Sequence, residues 1–179
     1  MPLRYALEMF FDELSEKRLR SYFEGLKKQQ ISSSMLDAHV RPHITIGVFE
    51  DIDVERCTDR LRNFCRGRRP LVLSFPSIGL FNLPKPVLFV SPVVPQELLT
   101  LHAELQALFA HDAHEDNKVY LPGVWMPHCT LDMASYSDNL LQSTAYVFEH
   151  FRAFEGVMER LAWVQMDNAS QEVCCFELA

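Results

Sequence analysis

The sequence predicts a mixed fold of β-strands and α-helices in which one βαβαβ unit occurs twice. Short runs of alternating apolar residues are typical of strands, and the segments between them carry apolar residues at helical spacing. The order strand, helix, strand, helix, strand is the same in both halves of the chain. A third observation is a repeated pentapeptide, Pro-His-x-Thr followed by an apolar residue, which falls in the middle strand of each unit.

The first unit is predicted to cover residues 1–82. Asp12 and Asp53 each precede an amphipathic run and suit the N-cap of a helix. Gly67 follows the second run, where glycine commonly ends a helix. The predicted elements are a strand at 5–11, a helix with Leu14, Leu19, Tyr22, Phe23 and Leu26 on its buried face, a strand at 43–49, a helix through Val54, Cys57, Leu61 and Phe64, and a strand at 71–78.

The second unit is predicted to cover residues 83–179. Pro95 suits the first turn of a helix, and Asp138 suits an N-cap. The proline-rich residues 81–86 are interpreted as the connection between the two units. The predicted elements are a strand at 87–93, a helix at 97–111, a strand at 125–133, a helix through Leu141, Ala145, Phe148 and Phe151, and a hairpin of strands 157–166 and 172–178.

The spacing of the two pentapeptides supports an internal duplication. His43 lies 38 residues after the start of the first predicted strand, and His128 lies 41 residues after the start of its counterpart. Duplicated units tend to be pseudo-symmetric, so the two middle strands would face each other across a central cleft. Alternate residues of a strand share a face. His43 and Thr45 would therefore point to one side together, as would His128 and Thr130.

Two histidines with two threonines suit acid–base chemistry at a phosphodiester. An imidazole with its ordinary pKa of about 6.5 populates both protonation states near neutral pH. One ring could take a proton from water or a hydroxyl while the other gives a proton to the leaving oxygen. The threonine hydroxyls could donate to the non-bridging oxygens. A strained cyclic ester needs no metal, and the sequence offers no obvious carboxylate set for a two-metal site, so no cofactor is predicted.

Length and composition limit the remaining possibilities. A chain of 179 residues suits one domain, or two small lobes that share a core. The net charge of −7 argues against broad contact with a phosphate backbone, but leaves a small anionic ligand or the end of a nucleic acid. Five cysteines without a Cys-x-x-Cys pair indicate reduced thiols. With no signal peptide or membrane span in the sequence, we expect a cytoplasmic monomer that does not bind membranes.

The pentapeptides PHITI and PHCTL resemble the paired signatures of the two-histidine phosphoesterase superfamily, and within it the bacterial 2′-5′ RNA ligase and cyclic phosphodiesterase group. The resemblance also covers YALEMFFD, RPHITIGVF, LFNLPKPVLFVSPV and LPGVWMPHCTLDM. It implies a bilobal α+β fold with antiparallel sheets around a central groove, and a 2′,3′-cyclic phosphate of an RNA end or a cyclic nucleotide as substrate. It also implies that His43 and His128 are catalytic and that Thr45 and Thr130 bind the phosphate.

Further residues are weaker candidates for substrate contact. Phe81, Tyr120 and Trp125 could stack on a base or could instead pack in the core. Arg41 would lie on the same face as the first motif histidine and could contact phosphate. Related proteins often carry an arginine in the segment that joins the halves, where this chain offers only Lys85, a point charge instead of a planar fork.

Three alternatives stay open at this point: a cyclic-phosphate hydrolase for a non-RNA metabolite such as an ADP-ribose cyclic phosphate, a module that binds RNA ends or nucleotides without turnover, and reversible 2′-5′ ligation as a further activity. Which histidine is acid and which is base is not assigned. The group His111, His114, Glu115 and Asp116 is interpreted as a solvated helix end, not a metal site. Cys129 is expected to face away from the cleft, which makes it a poor nucleophile.

Overall fold

The structure is a computed structural model, and it describes residues 3–112, 118–133, 137–166 and 170–179. Its main elements follow the predicted order of strand, helix, strand, helix and strand in each half of the chain. The strands are β1 (Arg4–Phe11), β2 (His43–Glu50), β3 (Leu71–Phe75), β4 (Ser77–Phe81), β5 (Val87–Ser91), β6 (Cys129–Met133), β7 (Phe154–Met166) and β8 (Ser170–Glu177). The helices are α1 (Glu13–Lys28), α2 (Ser34–Asp37), α3 (Val54–Cys65), α4 (Gln96–Phe109) and α5 (Ser137–His150), with a 3₁₀ turn at Lys118–Tyr120.

The strands form two antiparallel sheets. The larger sheet has the order β2-β1-β7-β3. The long strand β7 pairs with β3 through residues 154–158 and with β8 through residues 160–166. The smaller sheet has the order β4-β5-β6. The predicted α+β class with antiparallel sheets is therefore confirmed. One continuous cluster of buried apolar side chains includes members from both sheets. In the described part of the chain, no helix is both long and apolar enough to cross a membrane.

Each sheet contains a strand from the other half of the chain. β7 lies between β1 and β3 in the larger sheet, while β4 pairs with β5 in the smaller one. The sequence predicts one strand over residues 71–78, but Pro76 divides it into β3 and β4, which belong to different sheets. Proline has no N–H to donate to a ladder, so it favours such a break. The sheets thus exchange strands across residue 82, and the division into halves at 1–82 and 83–179 stays a prediction.

Two predicted boundaries are corrected by the strand pairing. Phe81 pairs with Val87, so residues 81–86 are the turn of the β4–β5 hairpin and not the connection between units. The chain passes between the sheets at Pro76 instead. The strand that carries the second motif starts at Cys129, later than the predicted residue 125.

The helix caps largely follow the sequence. Asp12 and Asp53 each accept a hydrogen bond from the backbone N–H three residues on, as predicted. Asp138 is not a cap, because α5 begins one residue earlier, at Ser137. The predicted buried face of α1 is confirmed except for Leu14, which is 73% exposed. Leu14 precedes the next apolar residue by five positions, which places it roughly 140° away around a helix of 3.6 residues per turn.

A buried aspartate links three elements of the fold. Asp132 on β6 is only 1% exposed. Its Oδ1 accepts hydrogen bonds of 2.6 Å from the hydroxyls of Ser32 and Ser34, and its Oδ2 accepts one of 2.5 Å from Ser143 on α5. The three hydrogen bonds that these hydroxyls donate offset the free-energy cost of removing the carboxylate from water. The start of α2, strand β6 and helix α5 are thereby held in fixed relation just beyond the second motif.

Candidate active site

The two motifs occupy corresponding places in the two sheets. His43 is the first residue of β2, and His128 immediately precedes β6. Each motif threonine is followed by a β-bulge, and the extra residue is Ile46 in β2 and Leu131 in β6. Bulges re-aim side chains and are frequent beside active sites. The apolar fifth residue of each pentapeptide is thus the residue that the bulge inserts.

Both imidazole rings are anchored in the same way. Nδ1 of His43 lies 2.7 Å from the carbonyl oxygen of Arg41, and Nδ1 of His128 lies 2.7 Å from that of Met126. A carbonyl oxygen can only accept a hydrogen bond, so Nδ1 carries a hydrogen in both rings. The Nε2 atom of each ring is left to gain or lose a proton.

The two motifs lie next to each other. Strands β2 and β6 are in contact, and the backbone of His43 lies beside the sulfur of Cys129, which is fully buried. Burial lowers the pKa of His128, and the charge of the nearby His43 lowers it further, while the bond to the Met126 carbonyl opposes both effects. The imidazoles are therefore close enough to sense each other's charge.

The surroundings of the two rings differ. The His128 ring lies edge-on to Phe81, with 4.8 Å between centroids, and 5.1 Å from the ring of Phe89. The His43 ring also meets an aromatic edge, at Phe10, but its Nε2 lies 3.5 Å from Oε1 of Glu8. One half-site is therefore mainly apolar, and the other contains a carboxylate.

The first motif threonine is held from the second half of the chain. Trp125 Nε1 donates a 2.9 Å hydrogen bond to the Thr45 carbonyl oxygen, and the Tyr120 phenol is hydrogen-bonded to the Thr45 side chain. Burial raises the pKa of Tyr120, and its bond to Thr45 opposes that effect. Thr45 and Thr130 are both half-buried.

The weaker candidates divide into those near the motifs and those elsewhere. Phe81 contacts His128, and its base-stacking role stays a prediction, as does that of Tyr120. The structure supports the core-packing interpretation for Trp125, because this residue is only 8% exposed and its ring stacks on His102 with 3.9 Å between centroids. Lys85 is exposed in the turn between β4 and β5, and its contact with substrate stays a prediction.

Arg41 already has two acidic partners. Its guanidinium bonds both carboxylate oxygens of Glu16 and one of Glu172, and it lies 4.2 Å over the ring of Phe10. A guanidinium fixed by two carboxylates has little charge left for an anion. Its predicted contact with phosphate is not supported by these ion pairs.

Glu8 is the site residue that the sequence analysis missed. It is 5% exposed on β1 and lies beside Nε2 of His43. A signal was present, because Glu8 is the one charged residue within the otherwise apolar run ALEMFF. A carboxylate in a buried strand is rare unless it has a partner. Its partner is the first motif histidine.

The described residues offer neither a group of metal ligands nor a reactive thiol at the site. In residues 3–112, 118–133, 137–166 and 170–179, no three His, Cys, Asp or Glu side chains are grouped to hold a metal ion. The candidates His114, Glu115 and Asp116 lie outside the described residues. Burial raises the pKa of Cys129 to about 12, so this thiol stays protonated, and its position inside the core confirms that it faces away from the cleft.

Comparison with known proteins gives a family and a fold. The model of the family described as the 2′-5′ RNA ligase superfamily matches residues 14–169. E. coli LigT complexed with 3′-AMP aligns with a TM-score of 0.59 and 13% identity, covering 100% of this chain and 99% of that one. TT0787 of Thermus thermophilus aligns with a TM-score of 0.59 and 18% identity, covering 99% of this chain and 98% of that one.

A third solved structure, described only as a phosphoesterase, aligns with a TM-score of 0.58 and 14% identity, covering 100% of this chain and 99% of that one. At these identities the three likenesses establish a shared fold. A comparison with curated protein sequences finds none that matches.

Proposed function

This chain belongs to the 2′-5′ RNA ligase superfamily, whose members are two-histidine phosphoesterases, and we propose that it opens 2′,3′-cyclic phosphates on RNA ends or nucleotides without a metal ion. The observation that carries the proposal is the equal anchoring of two neighbouring imidazoles. In both His43 and His128, Nδ1 is occupied by a backbone carbonyl, and only Nε2 is left for proton transfer. Two such nitrogens on contacting strands suit a reaction with one proton acceptor and one proton donor.

In the proposed reaction the phosphate lies between the two rings. One Nε2 takes a proton from water as the water oxygen attacks phosphorus, and the other gives a proton to the departing ribose oxygen. Thr45 and Thr130 donate hydrogen bonds to the non-bridging oxygens, where negative charge grows in the transition state. The fold neighbour LigT was crystallised with 3′-AMP, with phosphate and with ATP, which supports a nucleotide or phosphate ligand for this fold.

The test is turnover of 2′,3′-cyclic nucleotides in the presence of EDTA. We expect a bell-shaped pH profile, because one group must be neutral and the other protonated. His43→Ala and His128→Ala should each lower kcat by about 10²- to 10⁴-fold, the usual contribution of a general acid or base. His111→Ala, at an exposed position after α4, is the matched control and should keep wild-type activity. Wild-type turnover by either motif variant would refute the proposal.

A substrate panel distinguishes the alternatives. Turnover of an ADP-ribose cyclic phosphate, with inert 2′,3′-cyclic nucleotides and RNA ends, would assign the site to a non-RNA metabolite. Binding of a non-hydrolysable nucleotide without turnover of any cyclic phosphate would indicate a binding module. Reversible 2′-5′ ligation, a cytoplasmic location and a monomeric state stay predictions beside the proposed hydrolysis.

A further inference from the structure

The two half-sites differ at one structurally equivalent position. In β1, Glu8 pairs with Thr45 directly beside the bulge of β2. In β5, Phe89 pairs with Thr130 directly beside the bulge of β6. The strand pairing therefore gives Glu8 and Phe89 the same place relative to their motifs. Each also contacts its own histidine, at 3.5 Å between Oε1 and His43 Nε2 for Glu8, and at 5.1 Å between ring centroids for Phe89 and His128.

The carboxylate of Glu8 is strongly desolvated. Burial raises its pKa, and the charges of His43 and Arg41 oppose that effect, while Glu172 adds to it. Tyr120 and Cys129 also lie within electrostatic range of Glu8. The guanidinium of Arg41 is bonded to Glu16 and Glu172. The cationic partner in direct contact with the Glu8 carboxylate is therefore the His43 ring, through its Nε2 atom.

We propose that Glu8 is a positioning residue that holds a proton on Nε2 of His43, which makes His43 the general acid and His128 the general base of ring opening. The inference rests on the proposed function and gives it a direction. A buried carboxylate beside a ring nitrogen stabilises the protonated ring. The ring of Phe89 offers no such charge, and burial lowers the pKa of His128, so His128 is neutral near pH 7 and able to accept a proton.

In the proposed step, two protons move and one bond to phosphorus replaces another. His128 Nε2 takes a proton from water, and the water oxygen forms a new bond to phosphorus. The bond between phosphorus and one ribose oxygen breaks, and its electron pair stays on that oxygen. His43 Nε2 gives this oxygen its proton, so a monoester and a free hydroxyl are formed. Exchange with solvent then returns His128 to its neutral form and His43 to its protonated form, and Glu8 is unchanged throughout.

The first experiment compares Glu8→Gln with the wild type across the pH range. Glutamine keeps the shape of the side chain but removes the charge. An opposite charge at 4–6 Å commonly favours the protonated form by 1–3 pH units. We expect the alkaline limb of the kcat profile to move down by about 1 pH unit or more. Activity at pH 8 should then fall more than activity at pH 6, and the loss on the alkaline limb should approach about 10-fold for each pH unit of the shift.

Glu104→Gln is the matched control, since it removes an exposed carboxylate on α4 that pairs with Arg68. Its pH profile should equal that of the wild type. An unchanged alkaline limb in Glu8→Gln, or an equal loss at pH 6 and pH 8, would overturn the inference, because a merely structural role would lower activity at every pH.

The second experiment needs no turnover and no variant of Glu8. The ¹⁵N chemical shift of a histidine nitrogen reports whether it carries a proton. In the wild type at pH 7, we expect Nε2 of His43 to be protonated and Nε2 of His128 to be unprotonated, with signals assigned by their loss in the two alanine variants. The opposite assignment would overturn the inference even if Glu8→Gln did not fold. If the ¹⁵N result holds and no cyclic phosphate is turned over, the proposed function fails, while the protonation of His43 beside Glu8 stands.

Discussion

Replacement of Asp132 by alanine should cost several kcal/mol of stability. The side chain accepts hydrogen bonds from three serine hydroxyls, and one of these serines, Ser143, is completely buried. A hydrogen bond to a charged group contributes about 1.5–3 kcal/mol, and a buried hydroxyl left unpaired costs about 1–3 kcal/mol. Ser32 and Ser34 are half-buried and can bond water instead, so their loss counts for less. The expected total is about 3–5 kcal/mol.

Urea unfolding followed by circular dichroism measures this loss. With an m-value of about 2 kcal/mol/M, a loss of about 4 kcal/mol moves the midpoint down by about 2 M. Asp132→Asn should cost only about 1–2 kcal/mol, because the remaining oxygen still accepts and the Ser143 hydroxyl can turn to accept from the new amide. Asp59→Ala, at a surface carboxylate paired with Arg62, is the control and should change stability by less than about 0.5 kcal/mol.

A double-mutant cycle tests the cause of the loss. If Ser143 is a partner of Asp132, Asp132→Ala should cost about 1–2 kcal/mol less in a Ser143→Ala background than in the wild type. Additivity of the two substitutions within about 0.5 kcal/mol would refute the idea that the buried hydroxyl couples to the carboxylate. A cost below about 1 kcal/mol for Asp132→Ala alone would refute the accounting as a whole.

Two further substitutions test packing and charge. A Cβ added at Gly79 would lie 2.5 Å from the ring of Phe89, so Gly79→Ala should push that ring against His128. We expect kcat to fall by about 10-fold while the circular dichroism spectrum stays native. An unchanged kcat would contradict this expectation. Burial lowers the pKa of His102, which stacks on Trp125, and also that of His128. As pH falls below about 6.5, these histidines therefore bind protons in the unfolded chain before they do so in the folded protein. The stability gained by keeping them neutral is complete above that pH and decreases below it. In His102→Phe, the free energy of unfolding should fall less between pH 7 and pH 5 than in the wild type, by up to about 1.4 kcal/mol per pH unit. Urea unfolding at each pH measures this difference. An equal slope in the two proteins would contradict the assignment to His102.

The parts of the fold that depend on neighbours in sequence could be predicted. The N-caps Asp12 and Asp53 each act on a backbone N–H three residues away, so the sequence contains both partners. The strand of the first motif begins at His43 as expected, since alternation of side chains is a local property. The motif residues His43 and His128 were recognised by pattern, and the structure brings their strands together.

The parts that depend on distant partners could not be predicted. An apolar strand is suited to either sheet, so nothing local shows that β7 joins β1 or that Pro76 marks a passage from one sheet to the other. The sequence contains Glu8, but its meaning arises only when strand pairing sets it opposite Thr45 and against the first histidine. The sequence left base stacking and core packing both open for Trp125, because it does not show that this residue packs against His102.

The position of β7 in the larger sheet affects how the protein folds during synthesis. β7 contributes 13 residues to the larger sheet, and it fills the gap between β1 and β3. While β7 is still inside the ribosome, that gap is open, and β1 has an unpaired edge along nearly its whole length. Domains generally fold as units during synthesis. Here the pairing of β1 must wait for β7, so the nascent chain depends on protection of that edge until residues 154–166 have left the ribosome.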